Sequence, residues 1–190
     1  MVSLGVPSRW RRFLHRWAGS LPTVIYNAEI SESDPTRAPL FERSHVFTAR
    51  LPFVGEITLY LHHYLRSDPD RGPHDHPWPW AIALPLAGGY HEDRAIGLRQ
   101  GSVALKRRRR LPLLPYRLTG FDFHQVVIED GGTSWSLFLT GRNNFKGWGF
   151  LRPLPDDELS VCYAPQFSKS SNTEWWETAP LGWTLSRAAP

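Results

Sequence analysis

His74-Asp75-His76-Pro77-Trp78-Pro79-Trp80 is the stretch that decides how the rest of this 190-residue chain is read. In extended backbone successive side chains alternate between faces, so His74 and His76 project their imidazoles to the same side. Two neighbouring nitrogen donors presented in parallel are what a transition-metal ion requires from one strand. Pro77 and Pro79 cannot donate to a hydrogen-bonded ladder, so the strand is expected to turn away just after His76. The pair would then stand at the mouth or waist of a cavity built from sheets.

Outward from this pair the chain reads as short strands. Phe53 to Leu65 partly alternates and is rich in aromatic and β-branched residues, and Asp68-Pro69-Asp70-Arg71-Gly72 reads as a turn. The His-x-His strand follows, with Ala81 to Leu86 as the return and Gly88-Gly89 as the next turn. Tyr90 to Asp93, Gly101 to Leu105, Tyr116 to Leu118, Phe121 to Ile128 and Thr133 to Thr140 read as further strands, the last two joined by an Asp130-Gly131-Gly132 turn. Many short strands with regular turn chemistry predict an all-β sandwich or barrel. Residues 8–18 predict a short amphipathic helix capped by Ser8, with Trp10, Phe13, Leu14 and Trp17 on one stripe, closing one end of the barrel. Residues 31–40 read as a loop. Beyond Trp148-Gly149-Phe150 the chain is repeatedly broken by proline and serine yet keeps Trp175, Trp176 and Trp183. That extension is expected to be irregular and to drape over the barrel or a partner subunit.

The length suits one packed domain with terminal decorations. A single cysteine, Cys162, excludes an intramolecular disulfide framework and a cysteine metal cluster, and suggests a cytoplasmic location. No apolar run is long enough to span a membrane. Lys106-Arg107-Arg108-Arg109-Arg110, followed by Leu111-Pro112-Leu113-Leu114-Pro115, is expected to be a protruding, solvated loop. An anionic substrate or partner is a secondary reading. Nucleic acid is disfavoured, since no stacking residues interleave the run and the net charge is only +4.

Gly72, His74, His76 and Gly88 resemble the first motif of the cupin superfamily, and His124 in Asp122-Phe123-His124-Gln125-Val126 resembles the histidine of its second motif. Leu61-His62-His63-Tyr64, the His74–Trp78 stretch, Gly88-Gly89-Tyr90-His91-Glu92 and Trp135-Ser136-Leu137-Phe138 together look like a group of small bacterial and phage cupins. The resemblance covers roughly residues 45–152. It implies a double-stranded β-helix barrel, flanked by a lead-in over 1–44 and an extension over 153–190. Two positions depart from the pattern. The motif glutamate would fall near Trp80 or Ala81, and the second-motif asparagine is replaced by Ile128.

The resemblance therefore implies a metal held by His74, His76 and His124 without a carboxylate, as in thiol and diketone-cleaving dioxygenases of the superfamily. Ferrous iron is the favoured ion, with manganese, nickel and zinc as alternatives. His124 lies about fifty residues after the pair, a separation that lets an antiparallel strand return beside it. His15, His45 and His91 are poorer candidates, because they fall on the helix, before the barrel strands and beyond a turn. Three further residues are candidates for catalysis. Of the adjacent His62 and His63 only one can face the cavity, and the family-like pattern favours His62, as a support or substrate contact, although a histidine simply satisfied by a hydrogen bond in the sheet is the commoner case. Asp122 would share the face of His124 and could orient it or act as a base, although a turn role fits equally. Tyr90 could serve as a phenolic donor or simply pack in the core. The expected function is a dioxygenase-like oxidoreductase acting on a small, anionic molecule. A lyase or isomerase and a non-catalytic binding module are the alternatives, and a homodimer is the family-based expectation.

Overall fold

The computed structural model describes residues 8–27, 39–68, 72–99, 102–129, 132–142, 146–154, 157–166 and 177–184. A helix, α1 (Ser8–Gly19), precedes eleven strands: β1 (Thr23–Asn27), β2 (Pro39–Leu51), β3 (Gly55–Tyr64), β4 (Trp80–Ala87), β5 (Tyr90–Arg99), β6 (Ser102–Arg110), β7 (Tyr116–Thr119), β8 (His124–Val127), β9 (Ser134–Gly141), β10 (Trp148–Leu154) and β11 (Asp157–Gln166). The strands pair antiparallel. One sheet runs β1-β2-β3-β9-β4-β7. The other joins β6-β5-β8 to β10-β11 through single bridges that His74 makes with His124 and with Phe150.

The alternation along β3 decides what each face of the larger sheet does. Tyr60 packs inward with Trp78, Ala81, Ala83, Leu118 and Phe138, all buried. Leu61 points the other way and joins Leu86, Ala87 and Trp135 beneath Leu14 and Ala18 of α1. The helix therefore covers the outer face of this sheet instead of closing an end of the barrel. Its buried stripe is narrower than expected. Leu14 and Ala18 carry the burial, while Trp10 and Phe13 stack on each other near the surface, with Phe13 half exposed. Trp10 still ties the helix down, its Nε1 donating to Leu86 O at 3.1 Å.

Several expected boundaries move. The lead-in expected to end at residue 44 falls inside β2, so His45 is a strand residue, bonded to Thr48 Oγ1 at 3.0 Å. The break expected at 152–153 falls inside β10, and part of the extension expected to be irregular is β11. The basic run is not a loop. It forms the second half of β6, in register with β5 from Asp93↔Arg107 to Tyr90↔Arg110. Cross-strand carboxylates explain this. Asp93 takes two hydrogen bonds from Arg107, at 2.7 and 2.6 Å, which favours the ladder over a solvated loop. Residues 177–184 return to the helix end, where Thr23 N donates to Pro180 O and Gly182 N to Leu21 O, each at 2.9 Å. The turn expected at Pro69–Arg71, the loop over 31–38, the first two residues of the 130–132 turn, and Trp175 and Trp176 lie outside the described residues.

Candidate metal centre

Backbone pairing gathers the three histidines. His74 N donates to His124 O and His124 N to His74 O, both at 2.9 Å, a reciprocal antiparallel pair whose side chains stand on one face. His76, two residues on, shares that face. The ring centroids lie 4.9 Å (His74–His76), 5.1 Å (His74–His124) and 5.0 Å (His76–His124) apart. One nitrogen from each falls within 4.8 Å of the others, and His76 Nε2 and His124 Nε2 are 2.7 Å apart. The His-x-His segment is held less by a regular strand than by point contacts. Asp75, between the two, points away, accepting from Gly149 N at 2.6 Å and from Lys146 Nζ, which staples the segment to β10. On the other side His76 N donates to Gly120 O at 3.4 Å. Only glycine fits there, since a Cβ on Gly120 would lie 2.1 Å from Trp78 O. Trp78 in turn stacks on His76, with centroids 4.3 Å apart and planes 13° from parallel.

The carboxylate behind His124 is Glu92, a residue that sequence reasoning did not single out. It is fully buried on β5, with Oε1 3.1 Å from His124 Nδ1, within charge-pair distance although short of a well-aligned N–H···O bond. Arg110 donates to it through Nε at 2.7 Å and through Nη2, and Arg94 Nη2 lies 3.2 Å away. Burial works to raise its pKa, but the close approach of His124 and the hydrogen bonds and positive charge of Arg110 outweigh it and hold the carboxyl at about 2. A signal was present in the sequence: Glu92 stands two residues after Tyr90 and so shares the face assigned to that candidate.

The other candidates are placed as follows. Asp122 does not orient His124. It caps its own turn, accepting from Thr119 N at 2.6 Å and Thr119 Oγ1 at 3.0 Å, and its Oδ1 faces Arg94 at 3.5 Å. Tyr90 is buried, sharing a short hydroxyl contact with Tyr116, whose ring underlies the Arg110 guanidinium at 3.8 Å. His62 is buried and faces inward, stacked on Phe138 at 4.9 Å and joined through Nδ1 to Tyr64 Oη at 3.2 Å. His63 faces the helix, stacked on Trp135 at 3.9 Å and paired with Glu42 at 3.0 Å. His91 lies 3.9 Å from Glu129, outside the cluster.

Two antiparallel sheets enclosing an i, i+2 histidine pair, with a third histidine bonded across from it, define the architecture. This is the antiparallel two-sheet arrangement expected of a cupin-type barrel. Solved structures similar to it include a cupin-2 domain from Rhodospirillum rubrum, at 16% identity over 83% of this chain and 86% of that one, with a TM-score of 0.43. Hydroxypropylphosphonic acid epoxidase from S. wedmorenis matches at 12% identity over 53% of this chain and 50% of that one, with a TM-score of 0.41. Oxalate oxidase matches at 14% identity over 64% and 58%, with a TM-score of 0.42. The chain spans 50% to 58% of the length of these two enzymes. No family model and no curated protein matches the chain. No described helix is long and apolar enough to cross a membrane.

The donor set of this site fits a divalent transition metal. Burial first, then the charges of His74 and His124, pushes the His76 pKa well below its ordinary value, so its ring stays neutral with a lone pair to offer. Glu92, held ionised against the Nδ1 side of His124, favours the tautomer whose Nε2 faces the other two rings.

Proposed function

We propose that this cupin is a metal-dependent oxidoreductase, dioxygenase-like, in which His74, His76 and His124 hold ferrous iron and a small anionic molecule binds beside them. The convergence of three imidazoles on one inner face, a ligand group that includes no carboxylate among the described residues, carries the reading. Neutral ligands leave the ion its full positive charge, which favours an anionic substrate. When bound, the iron would supply the redox chemistry, and the protein supplies position and surroundings.

The chain's own groups divide that work. Glu92 fixes His124, and Trp78 fixes His76 by stacking. Burial pushes the phenols of Tyr64, Tyr90 and Tyr116 well above their usual range, so each stays protonated and can donate a hydrogen bond into the barrel. His62 is kept neutral, first by burial and then by the charge of Arg43. We place His62 and Tyr90 as substrate-positioning groups and assign Asp122 to the turn.

The test is oxygen uptake by anaerobically iron-loaded protein against a panel of small carboxylates, thiol carboxylates and β-diketones. Stimulated uptake that disappears on chelation supports the proposal. Inactivity with iron together with turnover with zinc or manganese would replace it with a lyase or isomerase. A homodimer and a cytoplasmic location complete the proposal, the first tested by sedimentation.

A further inference from the structure

Arg43 is a cation on the larger sheet that the metal site does not use. It stands on β2 in register with His62 of β3, so the two side chains leave the sheet on the same, inward face. Its Nε donates to His62 Nε2 at 3.2 Å and its Nη1 to Tyr26 Oη at 3.2 Å. Its guanidinium carbon lies 5.0, 5.2 and 5.5 Å from the ring centroids of Tyr26, Tyr60 and Phe41. All these partners are neutral. Among the described residues no carboxylate lies within ion-pair distance of Arg43, whereas Arg94, Arg107 and Arg110 each pair with one. The rings orient the guanidinium without cancelling its charge, and among the described residues Nη2 has no hydrogen-bond partner. A planar fork held this way matches a carboxylate or another oxyanion.

The inner wall connects this cation to the histidine cluster. His62 stacks on Phe138, Phe138 meets Trp78 at 5.5 Å, and Trp78 stacks on His76. A parallel row of hydroxyls runs from Tyr64, bonded to His62, through Tyr90 to Tyr116. One face therefore offers an anion anchor, a polar row, an aromatic row and a nitrogen cluster.

We propose that Arg43 anchors an anionic group of the substrate inside the barrel, so that the cognate molecule is a small bifunctional acid, one end on Arg43 and a metal-binding group at the histidines. The second half of this statement rests on the metal reading above. The first half stands without it.

Calorimetric titration at fixed ionic strength tests both, using acetate, malonate, succinate, glutarate and neutral succinamide as probes on iron-loaded protein under argon and on chelated protein. At least one dicarboxylate should bind the loaded wild type tenfold or more tightly than acetate or succinamide. Arg43→Gln should abolish that preference with its metal content unchanged, and Arg43→Lys should restore part of it. If chelated protein keeps an Arg43-dependent preference equal to that of the loaded form, the anchor holds and the metal end is removed. A wild type with no preference for any dicarboxylate, or an unchanged preference in Arg43→Gln, overturns the anchor. Should Arg43→Gln not fold, the Nε–H resonance of Arg43 in wild-type protein decides, because it must move on titration with the preferred dicarboxylate. A stationary resonance refutes the proposal.

Discussion

Replacing Glu92 with glutamine keeps the side chain's size and removes its charge from a fully buried position between Arg110 and His124. Two independent routes give the size of the effect. The carboxyl sits at about 2 against an ordinary 4.5. Through linkage that difference corresponds to about 3 kcal/mol of stability at neutral pH. Breaking a buried ion pair by removing one partner costs about 3–5 kcal/mol, and the Arg110 side chain left behind is only 13% exposed. Urea denaturation of the metal-free variant should therefore show a loss of about 3 kcal/mol with an unchanged m-value. Because the same carboxylate holds His124, metal affinity measured by chelator competition should fall about 10- to 100-fold. Asp122→Asn is the control. It touches a turn and not the cluster, so it should cost about 1 kcal/mol and leave metal affinity alone. A Glu92→Gln protein as stable as wild type, with affinity within about twofold, would refute the account of Glu92 as the group that orients the third histidine.

In acid the Glu92 contribution has a definite sign. Its folded pKa is depressed, so the stability is present above the ordinary carboxyl pKa of 4.5 and is lost as pH falls towards 2. The stability gap between metal-free wild type and Glu92→Gln, followed by circular dichroism, should close over that window. His124→Ala should abolish tight metal binding in an elemental assay of dialysed protein, whereas His91→Ala, at a site outside the cluster, should leave it unchanged. Gly120→Ala forces a methyl against the Trp78 carbonyl, which should cost about 1–3 kcal/mol in chemical denaturation and weaken metal binding by displacing His76. Leu14→Ala empties a fully buried position between α1 and the sheet and should cost about 2–5 kcal/mol without changing metal affinity.

Much of this site could be read from the sequence because period-two alternation is a local rule. It brings His74 and His76 to one face and separates His62 from His63 without knowledge of any neighbour. Pairing partners are not local, and there the reading was weaker. Asp122 is a candidate for orienting His124, on equal terms with a turn role, because it stands two residues away. The group that fills this role is thirty-two residues earlier in the chain and is brought in by the register of β5 against β8. The basic run looked like a loop for the same reason, since its stabilising acids, Glu92 and Asp93, sit on the opposite strand. Arg43 falls in the lead-in expected over residues 1–44, and only the pairing of β2 with β3 brings it to the inward face beside His62.

The β5–β6 hairpin also sets an order of assembly. Its strands are joined by a short connection and can pair on the microsecond scale of local hairpins. His74 and His124 meet across a fifty-residue loop, a contact that topology makes slow. When His124 docks, Glu92 and Arg110 are thus already in place as a charged socket, with the acid aimed and its own charge balanced. The third ligand enters a prepared position, and a cut between β5 and β6 would delay the maturation of the centre before it altered its equilibrium affinity.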